Sequence, residues 1–414
     1  MSGVRLLQLR LPLPYTVDRD PGAGPAAEWW RRGVSDSTPR LEPGVVVPTR
    51  HAPPQFHERT SSSELLATAF FCLLPAAAWG TMLFGLRAAL VLATAVVSSL
   101  VAESIIVRLF RARFHRVEVG SAPGWHAAFV GLVIGMMMPP AVPLGIVIVA
   151  TLVAIGVAKW TFGGISGIWL HPALTAWVFV TYSWPDAMTR WTVPATLPPD
   201  GLTSATALGL LRAAAERGEV VIGGLSGYLG RIGVPRTVLD TTVTGWFNEV
   251  LVGRFGAALP AGYVDLFLGN HPGAIGETSI ALLLAGSVVL FGRRIITWEI
   301  PTAFFLSFAS LTWVFGGLPY GGGFFSGDVL FHLLTGSVVF AMFFIATDTS
   351  CAPRTAIGQI VFGLGAGALT VLFRRYSGGA EGVAGALLVM NVLTPAINQL
   401  FRPRRYGWSL GAFR

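Results

Sequence analysis

The chain has 414 residues, of which 53% are hydrophobic and 12% are charged. Soluble domains carry roughly 25% charged residues, so this composition excludes an ordinary soluble domain and indicates a membrane protein. The net charge of +8 comes almost entirely from arginine, because Lys159 is the only lysine. These basic residues lie at the ends of apolar runs, where they anchor a membrane protein to its cytoplasmic side, and they do not indicate a nucleic-acid partner.

Ten apolar runs follow one another along the chain and predict ten transmembrane helices. They lie at about 65–84, 88–109, 126–138, 142–159, 168–184, 277–292, 296–315, 328–346, 356–373 and 380–398. A helix needs about 20 apolar residues to cross a bilayer, and the third and sixth runs are shorter than that. Short segments, or segments interrupted by Gly or Pro, predict discontinuous helices around a binding site.

The runs divide the chain into five expected regions. They are a cytoplasmic N-terminal arm (1–60), a first five-helix repeat (61–185), a long extracytoplasmic loop (186–276), a second five-helix repeat (277–400) and a cytoplasmic tail (401–414). This orientation places the basic residues after runs two, four, six, eight and ten on one side of the membrane. Arg374 and Arg375 are the exception, which indicates either a paired or ligand-facing role or snorkelling at a helix end.

The two groups of five runs resemble each other. Run three starts at His126 and run eight starts near His332, and the runs that follow them end in KWTFGGISG and RRYSGGAEG. An odd number of spans per unit places the second copy upside down in the membrane. We therefore expect an all-α polytopic membrane protein built from two inverted five-helix repeats around a central crevice.

Among the acidic residues within or next to apolar runs, three stand out, because a charge at membrane depth costs at least about 2.5 kcal/mol on insertion scales. Glu103 lies inside run two, which indicates either ion or proton handling or a hydrogen bond to a neighbouring helix. Glu277 opens run six within GNHPGAIGETS, and Asp348 closes run eight within ATDTSCAP. Both motifs are dense in small and hydroxyl residues, so these two carboxylates favour a functional role. Broken helices also expose backbone N–H groups that bind anions such as a flavin phosphate.

The histidines and cysteines do not indicate a metal centre. His126, His171 and His332 are not spaced like metal or haem ligands, so hydrogen-bonded histidines at helix ends are expected. Cys72 and Cys351 form no ligand-spaced cluster, and both lie at or near apolar runs.

The predicted extracytoplasmic loop contains LDTTVTGWFNEV (239–250), whose Thr-Thr-x-Thr-Gly core indicates a hydroxyl-bearing attachment or binding segment. Trp246 and Phe247 follow this core where a small residue and a further hydroxyl are expected. The aromatic pair either stacks on a flavin or a partner's cofactor, or packs the loop onto the membrane surface.

Several motifs together resemble the NqrB/RnfD family, the large membrane subunits of the sodium-pumping NADH:quinone reductase and of the Rnf ferredoxin:NAD complex. The resemblance extends over about residues 58–400, and the stretch before the first helix, together with the chain length, favours the B subunit. The motifs are GNHPGAIGETS (269–279), RRIITWEIP (293–301), KWTFGGISGIWLHPAL (159–174), HLLTGSVVFAMFFIATDTSCAP (332–353) and RRYSGGAEGVAGALLVMNVLTP (374–395).

The resemblance implies a fold similar to urea transporters. It also implies an FMN bound through a phosphodiester to the last threonine of an Asp-x-x-Ser-Gly-Ala-Thr motif, and a second flavin held in the membrane. Thr244 and Gly245 take the Ser-Gly positions, whereas Trp246 replaces the alanine and Phe247 replaces the acceptor threonine. Since Phe247 has no hydroxyl, covalent FMN is not expected there. A shifted acceptor would be Thr242 or Thr244.

Other positions also depart from the family pattern. Asp240 lies one residue away from the motif aspartate, whose position Thr241 occupies, and His171 replaces the asparagine of the family's N-P-A-L segment. A noncovalent FMN or riboflavin, or a quinone, is expected in the central crevice. The residues predicted to line it are Gly163, Gly164, Glu277, Thr278, Asp348, Gly378 and Gly379, with Glu103 on the ion pathway.

The sequence therefore predicts a membrane subunit of a bacterial electron-transfer complex that relays electrons through bound flavin and is coupled to ion translocation. It is expected in the inner membrane with both termini cytoplasmic, beside iron–sulfur, flavoprotein or cytochrome subunits. Two alternatives stay open: a small-solute or ion channel with a urea-transporter-like fold, and a structural anchor for redox partners.

Overall fold

The computed structural model describes residues 61–113, 123–192, 194, 206, 208–209, 213, 237–255, 261–320, 323–376 and 382–402. Its regular structure in these ranges is helical, as the apolar runs predicted. In chain order the α-helices are α1 (Ser62–Phe84), α2 (Leu86–Arg113), α3 (Pro123–Met137), α4 (Leu144–Leu152), α5 (Pro172–Ser183), α6 (Pro185–Met188), α7 (Val238–Phe247), α8 (Tyr263–Leu268), α9 (Ile280–Gly292), α10 (Glu299–Phe315), α11 (Val329–Leu334), α12 (Val338–Phe340), α13 (Ala356–Tyr376) and α14 (Val383–Leu400).

Three of these helices continue into π-helical turns, and short 3₁₀ segments connect others. The π turns follow α4, α7 and α12 as Val153–Trp160, Asn248–Val252 and Ala341–Ile345, and the 3₁₀ segments are Ile165–Gly167, Gly253–Phe255 and Leu318–Tyr320. Such π turns occur frequently at functional sites. Two of them lead directly into segments that the sequence predicted to be functional.

Four described helices are long and apolar enough to cross a membrane: α1, residues 86–109 of α2, α13 and α14. Four shorter apolar helical stretches accompany them, at 124–137, 144–160, 280–292 and 299–315. The chain is therefore a polytopic helical membrane protein. Ten spans and an inverted repeat stay predictions, as do the five proposed regions. The expected N-terminal arm (1–60) and residues 403–414 of the tail lie outside the described residues.

The first long helix shows how local sequence sets its ends. Ser61 caps α1, because its side chain accepts the Glu64 N–H at 3.3 Å, and Glu64 lies in the first turn. An acidic residue there also interacts favourably with the positive end of the helix dipole. The helix ends at Gly85, whose N–H donates to the Thr81 carbonyl at 2.9 Å.

Glycines allow α10 and α13 to pack with their backbones close together. A Cβ added at Gly363 would lie 2.7 Å from the Ile300 carbonyl oxygen, and one at Gly367 would lie 2.5 Å from the Phe304 carbonyl oxygen. These glycines are four residues apart and therefore share one face of α13. Small residues at this spacing are typical of membrane helix pairs, where close packing replaces the hydrophobic effect.

The irregular segment before α9 packs against the end of α3. The Gly276 N–H donates to the Met136 carbonyl at 2.8 Å, and the Ile275 N–H donates to the Met138 carbonyl at 3.3 Å. A Cβ at Gly276 would overlap the Met136 side chain. The residues just before the sixth apolar run thus contact another helix end, and α9 begins only at Ile280, which agrees with the predicted discontinuity.

Candidate functional site

The LDTTVTGWFNEV segment forms most of α7, which two aspartates anchor to α8. Thr237 caps α7: its Oγ1 accepts the Asp240 N–H at 3.2 Å and donates to Asp265 Oδ1 at 2.6 Å. The fully buried Asp240 carboxylate accepts the N–H groups of Gly262, Val264 and Asp265 at 2.8, 3.0 and 3.3 Å. Hydrogen bonds to a charged group contribute about 1.5–3 kcal/mol each. Asp240 therefore joins the two helices.

The two hydroxyls proposed as shifted acceptors differ in accessibility. Thr244 is only 4% exposed, and its Oγ1 has no hydrogen-bond partner in the described part of the chain. Thr242 is exposed and donates to the Val238 carbonyl at 2.8 Å. A transferase must reach its acceptor, so the burial of Thr244 argues against that residue and leaves Thr242 as the accessible hydroxyl.

Trp246 and Phe247 lie at the exposed end of α7, after Gly245. Their side chains are 54% and 38% exposed, and the rings meet edge to face with centroids 5.2 Å apart. Phe247 occupies the predicted acceptor position and carries no hydroxyl. An exposed aromatic pair of this kind can stack on a planar ligand or lie at the membrane surface.

Glu277 borders a cavity of about 10 Å³. Its Oε2 accepts the Ser337 hydroxyl at 3.0 Å, and His271 and Thr335 also line the cavity. The cavity is therefore too small for a flavin and has room for no more than about one water molecule. The neighbouring Thr278 is buried, and its hydroxyl donates to the Ile275 carbonyl at 3.2 Å.

Arg374 holds the break between α11 and α12 beside this cavity. It donates to the carbonyls of His332 and Thr335 at 2.6 and 2.7 Å, and its guanidinium lies 5.4 Å from the centre of the Phe308 ring. The two carbonyls belong to the end of α11, where a cation is favourable. The prediction of a paired role for Arg374 is therefore confirmed.

Glu103 and Lys159 form a buried ion pair between α2 and the π turn after α4. The Lys159 ammonium donates to Glu103 Oε1 at 2.8 Å, and the side chains of Lys159 and Glu103 are 0% and 4% exposed respectively. Trp160 Nε1 donates to Glu103 Oε2 at 2.9 Å. Glu103 thus makes the interhelical hydrogen bond that was one of its two predicted roles. Lys159 is fully buried and does not act as the surface anchor that its position at the end of an apolar run indicated.

Asp348 faces His171 at the point where the chain leaves the π turn after α12. The distance from His171 Nε2 to Asp348 Oδ2 is 3.5 Å, with side-chain exposures of 1% and 7%. His126, on the first turns of α3, is completely buried and interacts electrostatically with Lys159, Asp348 and His171. The ring nitrogens of both histidines have no hydrogen-bond partner among the described residues. The expectation of hydrogen-bonded helix-end histidines is therefore wrong for His126 and His171.

The glycines of the FGG segment form a sharp turn after Trp160. Gly163 and Gly164 have φ angles of 96° and 79°, a left-handed region that favours glycine. Gly163 is exposed and Gly164 is buried. The other predicted glycine pair, Gly378 and Gly379, lies outside the described residues.

The residues predicted to line one crevice thus fall into two polar groups. Glu277 and Thr278 lie beside the cavity, whereas Asp348 lies with His171 and His126. Sequence reasoning missed the histidines' part in the second group, because the partners come from distant segments. Within the described residues, no group of three or more His, Cys, Asp or Glu side chains is arranged to hold a metal ion.

The chain is similar along most of its length to curated membrane components of redox complexes. It is 34% identical to the D subunit of a proton-translocating ferredoxin:NAD(+) oxidoreductase complex of Clostridium ljungdahlii, covering 84% of this chain and 92% of the relative. It is 33% identical to the D subunit of an ion-translocating oxidoreductase complex of Stutzerimonas stutzeri, covering 84% and 93%. It is 31% identical to the D subunit of the Na(+)-translocating ferredoxin:NAD(+) oxidoreductase complex of Acetobacterium woodii, covering 86% and 93%.

These relatives are D subunits, so they do not support the preference for the B subunit that the chain length and first segment indicated. Residues 49–407 match the NQR2, RnfD, RnfE family, and this match includes every described helix. The chain belongs to the NQR2, RnfD, RnfE family of membrane subunits.

Proposed function

We propose that the chain is the D-type membrane subunit of an Rnf-type complex, in which electron transfer between partner subunits drives ion translocation. The observation that carries this proposal is the similarity to D subunits over 92–93% of their length. The partners are iron–sulfur, flavoprotein or cytochrome subunits, with quinone as a further ligand. The membrane is the bacterial inner membrane, and both termini are cytoplasmic.

The chain relays electrons through a noncovalently bound FMN or riboflavin. Phe247 supplies no hydroxyl for a phosphodiester, and Thr244 is buried with only 4% of its surface exposed. The exposed Trp246–Phe247 pair supports stacking on an isoalloxazine ring, either bound to this chain or carried by a partner. When bound, the flavin supplies the redox chemistry, and this chain's residues position it and exclude water.

The two polar groups support ion movement in the same subunit. Ionisable side chains inside membrane segments are costly, and where they occur they mark ion and proton pathways. Glu277 lies at a small polar cavity and Asp348 lies in a separate buried group. With the predicted orientation, the first group is near the extracytoplasmic side and the second is near the cytoplasmic side.

Flavin content and attachment test this proposal. The full chain, co-expressed with a flavin transferase, is purified natively and precipitated with acid, and flavin is then measured in the supernatant and in the protein band on a denaturing gel. We expect flavin in the supernatant and no fluorescence in the wild-type band. A variant with Thr241→Asp, Thr244→Ser, Trp246→Ala and Phe247→Thr restores the family motif and is expected to give a fluorescent band, which controls for transferase activity.

The outcomes separate the alternatives. Fluorescence in the wild-type band that disappears in Thr242→Ala would show a shifted covalent acceptor and contradict the noncovalent proposal. Native protein without flavin, purified alone and with its partner subunits, would contradict the flavin relay. That result would favour the channel or the structural anchor.

A further inference from the structure

A cluster of three buried titratable side chains lies away from the flavin segment. We call it the histidine–aspartate cluster: His126, His171 and Asp348. His126 and His171 are 0% exposed, and the Asp348 side chain is 7% exposed. The three residues come from α3, from the start of α5 and from the segment after α12. The cluster therefore joins the first predicted repeat to the second.

Few charged groups surround the cluster, and the lysine among them already has an ion-pair partner. Lys159 is paired with Glu103 at 2.8 Å, and it acts on His126 through space. Cys351 is a free, buried thiol that interacts electrostatically with Asp348. Asp348 Oδ1 accepts the Ser350 N–H at 3.0 Å, whereas Oδ2 faces His171 without a hydrogen bond. Asp348 Oδ2 and the buried imidazole nitrogens of His126 and His171 therefore remain available to bind and release a proton.

The chemistry of these groups fits a proton better than a metal cation. A hard cation requires several oxygen ligands, whereas the cluster offers one carboxylate and two imidazoles. An imidazole beside a carboxylate can bind one proton, which neutralises the negative charge of the pair. Chains of Asp and His inside membranes serve as proton relays.

We propose that the histidine–aspartate cluster is a proton-binding site through which this subunit takes up and releases its transported ion. A proton from water forms an N–H bond at His171, next to the Asp348 carboxylate, and it later leaves to water by the reverse step. No electron moves within the cluster. The inference rests on the proposed function, because it names the ion that the complex translocates.

The first test follows protonation of the full chain in lipid nanodiscs by infrared difference spectroscopy during a pH titration. We expect pH-dependent imidazole and carboxyl bands that are lost in Asp348→Asn and changed in His171→Asn, which replaces the imidazole with the asparagine of the family motif. Asp186→Asn removes an exposed carboxyl of α6 and serves as the matched control. Cluster bands that are identical in the wild type and both cluster variants would overturn the proposal. This test needs neither flavin nor electron transfer, so it is independent of the proposed function.

The second test measures transport by the whole complex in lipid vesicles, with an internal pH dye and with sodium replaced by potassium. We expect proton movement without sodium that a protonophore abolishes. The ratio of protons moved to electrons transferred should fall by about tenfold or more in His171→Asn and stay unchanged in Asp186→Asn. Transport that requires sodium, or an unchanged ratio in His171→Asn, would overturn the proposal. A complex that transfers no electrons would instead contradict the proposed function.

Discussion

The Glu103–Lys159 ion pair makes a strong prediction, because both charges are buried and each is the other's partner. In Glu103→Gln the Lys159 side chain loses its carboxylate partner at 2.8 Å. In Lys159→Met the carboxylate loses its cation. Removing one member of a buried pair costs about 3–5 kcal/mol, whereas replacing both with uncharged groups of similar volume is often close to neutral. We therefore expect both single variants to be strongly destabilised and the double variant to recover most of the loss.

The choice of glutamine in the double variant follows from Trp160. Its indole N–H donates to Glu103 Oε2 at 2.9 Å, and a glutamine amide oxygen can still accept this bond. Leaving that buried donor without an acceptor would cost a further roughly 1–3 kcal/mol. Additive effects of the single changes would give about 6–10 kcal/mol in the double variant. The destabilisation that we expect for the double variant is far smaller.

The two cysteines provide the assay. Cys72 and Cys351 are both buried and free, so a thiol-reactive fluorophore reports unfolding in detergent without an engineered label. Membrane proteins often unfold irreversibly, and apparent melting temperatures are therefore compared at one scan rate. The expected order is wild type close to the double variant, with both single variants well below. If the double variant melted at or below the weaker single variant, the reasoning about the ion pair would be wrong.

Three further predictions concern the scaffold. Asp240→Ala should speed hydrogen exchange of the amides that donate to its carboxylate by about 10- to 100-fold, because a bond to a charged acceptor contributes roughly 1.5–3 kcal/mol. The control is Glu249→Ala, an exposed change on the turn that follows α7. It should leave the exchange of these amides unchanged. Gly276→Ala should lower the melting temperature in the thiol assay, since overpacking costs about 1–3 kcal/mol. Gly245→Ala adds a Cβ with nothing within 4 Å and is its control. Arg374→Lys should also melt earlier, because a lysine does not reproduce the planar fork that donates to two carbonyls; equal melting would contradict that role.

The helices were largely predictable from the sequence because hydropathy is a local property. The four long spans overlap the first, second, ninth and tenth predicted runs, with ends that differ by at most three residues. The short sixth run correctly indicated an irregular segment before α9. The partners of buried charges were not predictable in this way. Lys159 looked like a flanking charge because it ends an apolar run, and its partner Glu103 lies 56 residues away.

The expectation about covalent FMN rests on residue type alone, because Phe247 has no hydroxyl wherever the chain places it. That expectation stays a prediction. The meeting of His171 with Asp348 depended on packing between distant segments. No spacing in the sequence contains that information.

The Asp240 anchor has a practical consequence for biophysical measurements. It fixes the first turn of α7, while positions 246 and 247 project at the other end with 54% and 38% of their surfaces exposed. A spin label or fluorophore attached at either position would report rotation of α7 about its first turn, which Asp240 holds in place. Distances from that label to partner subunits would then reveal whether this helix swings during turnover, without any probe inside the membrane.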